Sequence, residues 1–231
     1  MKTLGMLLAS AALCGSAQAT VFEYDFTVTI QEMLEFSPVT GTGGMVNSST
    51  LAGDALSVGD VVYGHFSYDT ETAQFGNFGV GPVYAASGAS NSLSAGTFSH
   101  NLALHDATAN NTMVQVSNNA ALLGGGDSLA IGNTSENAAA TQLMAVDFFD
   151  RTGTALSSDA IPGAIDASAF NQTSFYYLYT AKDSHTMLGA NGALTSLTLV
   201  SSVPEPQTYA MLFSGLGMLA GLARRRSKAS K

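Results

Sequence analysis

Val21-Phe22-Glu23-Tyr24-Asp25-Phe26-Thr27-Val28-Thr29-Ile30 decides the fold of this chain. Phe22, Tyr24, Phe26, Val28 and Ile30 share one side of an extended backbone, and Glu23, Asp25, Thr27 and Thr29 the other. That period of two marks a strand with one buried face. The same pattern returns over residues 60–68, where Val62, Phe66 and Tyr68 face one way and Val61, Tyr63 and His65 the other. Phe98, His100, Leu102 and Leu104 alternate in the same manner. Weaker strands are expected over 112–117 and 127–131. A strong one over 141–150 runs into the turn Asp150-Arg151-Thr152-Gly153. Phe175, Tyr177 and Tyr179 mark another, and 194–201 a last one.

Working outward, seven or eight strands separated by Gly, Asn, Ser and Asp turns predict an all-β domain. With no long amphipathic helix between them, the expected architecture is a two-sheet β-sandwich of jelly-roll type. The segments 40–57, 74–92 and 118–137 read as long loops rich in small polar residues, and 138–144 as the start of a helical turn. No fixed-period repeat is visible.

The two ends differ from this body. Lys2, the apolar stretch 4–13 and Ala17-Gln18-Ala19 predict a secretory signal peptide over 1–19, cut between Ala19 and Thr20 by signal peptidase. Cys14 leaves with it, since bulky Leu13 stands where a lipoprotein signal needs a small residue. At the other end, Val203-Pro204-Glu205-Pro206 precedes an apolar run over 209–223, then Arg224, Arg225 and Arg226. Pro204 and Pro206 fix φ and hold Val203 and Glu205 extended, so the chain leaving the body is expected to be stiff and unpaired. A single helix over the apolar run measures about 22 Å against a hydrocarbon core of about 30 Å, which suits transient anchoring in the inner membrane. The basic residues beyond it stay cytoplasmic by the positive-inside rule. The domain division is therefore signal peptide 1–19, β-domain 20–203 and sorting segment 204–231.

Charge narrows the partners. Between the two ends stand two cations, Arg151 and Lys182, against sixteen of the seventeen acids, a formal −14. Such a body cannot neutralise a phosphate backbone, which excludes nucleic acid. It also has no cysteine once Cys14 is gone, so neither a disulfide framework nor a thiol catalyst is available.

The C-terminal pattern of V-P-E-P, apolar run and arginine cluster resembles the PEP-CTERM sorting signal of Gram-negative bacteria. The resemblance implies recognition by an exosortase, a membrane-embedded cysteine protease or transpeptidase-like enzyme, in organisms that also make extracellular polysaccharide. Residues 57–60 and 64–70 are similar to a segment recurring in cargo proteins of that group, and 192–197 also fits it. Neither match brings a catalytic residue.

Within the body no G-x-S-x-G elbow, H-E-x-x-H helix or Walker loop occurs. Gly124-Gly125-Gly126-Asp127 reads as a turn. His100 and His105 are wrongly spaced to share an ion, and His65 and His185 have no evident partner, so no metal site and no cofactor are expected. Asp54, Asp60, Asp69 and Glu71 could supply oxygens to a structural Ca²⁺, although no spacing compels it. Asp147 with Asp150, or Asp69 with Glu71, are the acid pairs a glycan-cleaving reading would use. Tyr63, Tyr84 and Tyr176 are the candidate carbohydrate contacts in a chain without Trp. The sequence thus describes an exported, non-catalytic surface or extracellular-matrix protein of the biofilm type. The alternative is a carbohydrate-binding module of the polysaccharide matrix, and after it a glycan-active enzyme.

Overall fold

The computed structural model describes residues 20–85, 91–97, 102 and 112–204. Val21–Ser202 forms one compact unit. Its strands are β1 (Thr20–Ser37), β2 (Thr42–Met45), β3 (Ser48–Ser49), β4 (Leu56–Ser57), β5 (Val61–Asp69), β6 (Gln74–Asn77) and β7 (Pro82–Tyr84). They continue with β8 (Ser92–Gly96), β9 (Thr112–Ala120), β10 (Gly126–Glu136), β11 (Ala140–Asp150), β12 (Gln172–Ala181) and β13 (Met187–Pro204).

The chain is all-β, as its periodicity requires, but the layering differs from two separate jelly-roll sheets. Eleven strands join in one sheet ordered β6-β7-β9-β10-β11-β12-β13-β1-β5-β8, with β2 paired to β1, and β3 and β4 form a small ribbon. The sheet curls over on itself. Phe66 of β5 meets Phe148 of β11 edge-on at 6.5 Å, and Phe26 of β1 meets Phe175 of β12 at 6.2 Å. Near one edge, the Asn133 amide of β10 donates to the Leu93 carbonyl of β8 at 3.2 Å. The physical reason lies in two strands of 18 residues each, β1 and β13, which are neighbours and join what would otherwise be two sheets. Alternation along β1 also slips after Ile30, because Gln31 and Glu32 are both exposed and Met33 is buried. A slip of that kind bends a strand.

Burial follows the sequence pattern closely. Tyr24, Phe26, Val28 and Ile30 are buried from β1, and Val62, Phe66 and Tyr68 from β5. Phe66 stacks on Tyr24 at 5.1 Å. Gly64 is required beneath Phe26, since a Cβ there would lie 2.0 Å from the ring. The expected helical turn at 138–144 is instead a tight turn into β11, held by the Asn137 side chain accepting from the Ala139 and Ala140 N–H groups at 2.8 Å. The expected loop 118–137 is largely the eleven-residue β10, and the expected loops 40–57 and 74–92 contribute β2, β3, β4, β6 and β7, all of four residues or fewer. Strands that short carry too little periodicity to detect.

The register defines two ends of the curled sheet. Val21 lies opposite Asp69, Gly126 opposite Ala120, Asp127 opposite Asp150, and Phe149 opposite Gln172. The start of β1 and the ends of β5, β9 and β11 therefore share one end, the exit end, because β13 also finishes there. Residues 151–171 cover it. Tyr24 Oη accepts from the Ile165 N–H at 2.6 Å, Tyr68 Oη donates to the Gly163 carbonyl, and Tyr84 Oη donates to the Asp159 carbonyl at 2.5 Å. Ile161 is buried, and Leu156, Ile165 and Phe170 pack on the core.

Candidate functional site

β13 carries the chain toward the sorting segment, so its anchoring determines how that segment is presented. Its first half pairs with β12 from Met187 to Ala193. At Gly192 β13 packs closely on β1: a Cβ there would lie 2.4 Å from Val28 Cγ1 and 2.6 Å from the Thr29 carbonyl oxygen. Thr195 Oγ1 then donates to the Thr27 carbonyl at 3.2 Å. Beyond Ala193 the β12 side of β13 opens onto a shallow cavity of about 330 Å³, lined by Ser168, Phe170, Asn171, Thr173 and Leu194–Leu197. Leu199 and Val200 are about half exposed.

The strand continues through Val203 to Pro204. This corrects the expectation that the motif begins after the last strand. An extended φ suits proline at a strand terminus, so the motif's first two residues prolong β13. Glu205, Pro206, the apolar run 209–223, Arg224, Arg225 and Arg226 lie outside the described residues, as do the signal segment 1–19 with Ala19, and His100 and His105. Thr20 opens β1. Among the described residues no helix is long and apolar enough to cross a membrane.

The three tyrosines do not converge. Tyr63 is 55% exposed on β5, Tyr176 is half-buried on β12, and the Tyr84 hydroxyl of β7 is committed to Asp159. Among the described residues the most exposed aromatic rings are instead Phe75 and Phe78, at 70% and 66%. Sequence reasoning passed over them because they sit in an unpatterned, glycine-rich segment.

The acids sort by sheet face. Asp147 and Asp150 are three apart on β11 and project to opposite sides, so they do not face one cleft. Asp147 is half-buried on the outer face, where desolvation pushes its carboxyl up to about 6. Asp150 is fully buried and held well below the ordinary carboxylate range, first by the Thr154 N–H and then by the Thr152 N–H. Directly opposite, buried Asp127 accepts from the Asn119 and Leu156 N–H groups, each at 2.8 Å. Both aspartates therefore fasten the segment after β11. A glycine turn before Asp127, with Gly124 and Gly125 at φ of 69° and 86°, and an Asp-x-Thr-x-Thr run were the available signals.

Asp69 Oδ1 caps the Glu71 N–H, and Asp60 Oδ2 the Ser57 N–H. His65 does have a partner: its Nδ1 lies 2.9 Å from Asp25 Oδ1, directly across the β1–β5 pair. Among the described residues no three His, Cys, Asp or Glu side chains group in a way that could hold a metal ion.

An all-β body whose last strand leads without a linker into a sorting segment defines the class. The segment is the PEP-CTERM protein-sorting motif, whose family model matches residues 202–227. The match overlaps β13 at Ser202–Pro204. It implies export, exosortase processing and sorting through the membrane toward the cell surface. No curated protein and no solved structure matches the chain.

Proposed function

We propose that this chain is an exported, non-catalytic surface or extracellular-matrix protein, released from its signal peptide at Ala19–Thr20 and processed by an exosortase at its C-terminal motif. The observation that carries the reading is the continuity of β13 with that motif. A strand fixed against β1 delivers Pro204 in extended form, the geometry a protease cleft accepts. Asp147 and Asp150 project to opposite sides of β11, and the three tyrosines stand on three different strands, which favours a structural cargo over a glycan-cleaving enzyme. The apolar run and the basic residues after it hold the unprocessed chain in the inner membrane.

Replacing Pro204, Glu205 and Pro206 together by alanine tests the reading. Unprocessed protein accumulates in the inner membrane, while the body keeps its strand-rich circular dichroism. Normal release of the variant would refute it. Polysaccharide binding is the second reading, favoured by the exposed Tyr63 ring. Retention on isolated matrix polysaccharide that Tyr63→Ala abolishes would establish it.

A further inference from the structure

Three large apolar side chains stand in solvent together. The Phe75 and Phe78 ring centroids are 6.4 Å apart, and Leu122 is 73% exposed. Leu122 Cδ1 lies 3.6 Å from where a Gly79 Cβ would be, which brings the 3₁₀ turn Ala121–Leu123 against the β6–β7 turn. Neighbouring Gly81 sits so close to β9 that a Cβ would meet the Val116 carbonyl oxygen at 2.1 Å. The pair of turns is thus fixed beside the last residues of β9, at the exit end. Exposed Leu199 and Val200 of β13 lie toward the same end.

The chain leaves the sheet there at Pro204, and the apolar run begins at Tyr209. Five residues span at most roughly 18 Å when fully extended. Once the run is in a bilayer, the exit end cannot stand further from the membrane surface than this tether allows. Apolar side chains clustered on a tip gain free energy by leaving water for the interfacial zone. Two flanking amides, Asn77 and Gln74, bond locally, Asn77 Oδ1 accepting from the Gly79 N–H and Gln74 Nε2 donating to the Gly76 carbonyl. The short tether to the apolar run, together with the wholly apolar character of the three side chains, favours lipid as the occupant. Because the body carries −14, the contact is apolar rather than Coulombic and suits a zwitterionic surface.

We infer that Phe75, Phe78 and Leu122 form a docking tip that seats in the headgroup region of the membrane until the tail is cut, holding the body upright with β13 facing the processing enzyme. This rests on the membrane-held state proposed above. The chain contains no tryptophan, so one indole is a clean reporter. The mature chain, with its tail, is reconstituted into phosphatidylcholine vesicles as Phe78→Trp and separately as Val39→Trp, an exposed position beyond the end of β1 at the opposite end of the sheet.

The expected result is a blue-shifted emission at position 78, quenched by lipids brominated near the headgroup. Position 39 keeps a solvent-like emission, and Phe75→Ser with Leu122→Ser removes the shift at 78. A chain that floats with the vesicles while position 78 stays solvent-like and unquenched overturns the docking tip alone. A chain that does not float at all overturns the membrane-held state and the tip with it. A shift produced by neutral polysaccharide without lipid, and absent with vesicles, overturns lipid as the occupant.

Discussion

Gly192→Ala tests whether the junction of β13 with β1 holds the curled sheet together. The added Cβ would sit 2.4 Å from Val28 Cγ1, 2.6 Å from the Thr29 carbonyl oxygen and 3.2 Å from its carbon. Side-chain rotation can relieve the first contact, but the other two are backbone, so β13 must move away from β1. Overpacking of this kind costs about 1–3 kcal/mol. For a body of this size each kcal/mol lowers the melting temperature by roughly 2–4 °C, giving an expected loss of about 2–12 °C. Gly132→Ala is the matched control: it is also within a strand, yet its nearest neighbour would be the Met144 carbonyl oxygen at 3.7 Å, an ordinary contact. It should change stability by about 0.5 kcal/mol or less. Thermal melts of the 20–203 fragment by circular dichroism, paired with limited proteolysis of β13, read both variants. Equal melting temperatures for the two variants, with no new cleavage in β13 of Gly192→Ala, would refute the close-approach argument.

Other outcomes follow from the same contacts. Tyr68→Phe leaves the Gly163 carbonyl without its donor and should cost about 1–3 kcal/mol, seen as earlier proteolysis within 151–171. Asp147 has a raised folded pKa of about 6, so its contribution is fullest below the ordinary carboxylate range and is lost as pH rises through 6. Asp147→Asn should therefore melt above the wild type at pH 7.5, with the difference shrinking as pH falls and closing only near pH 3, below the ordinary aspartate value. Asp150 has a lowered pKa, so its contribution is present above the ordinary carboxylate range and fades as pH falls below it. Asp150→Asn should melt lower at neutral pH and show a flatter acid limb. Moderate salt should raise the melting temperature of the −14 body by screening its self-repulsion.

Much of the sheet was legible because alternation reports burial directly. The faces of β1, β5 and β11 follow from Phe22 to Ile30, Val62 to Tyr68 and 141–150. Pairing was not legible. Nothing in the period of β1 says that its neighbours are β5 and β13, and that pairing makes one curled sheet of what reads as two. Contacts between residues far apart in sequence escaped for the same reason: Asp25 finds His65 only through register, and Asp127 finds Leu156 through a loop that folds back. The sorting motif was fully legible, being local and linear, but its fusion with β13 was not. Proline usually argues against a strand, and Pro204 is tolerated because it ends one.

The adjacency of β1 and β13 also sets a schedule. The export from the N-terminus proposed above would deliver β1 first and β13 last, yet these two strands lie side by side. Until residues 187–204 have crossed, β1 has only β2 and β5 beside it and the curled sheet stays open. Contacts spanning nearly the whole body make closure slow relative to local hairpins such as β10–β11. The tail that triggers processing follows β13 by a handful of residues, so the body becomes able to finish folding at about the moment its sorting motif reaches the membrane.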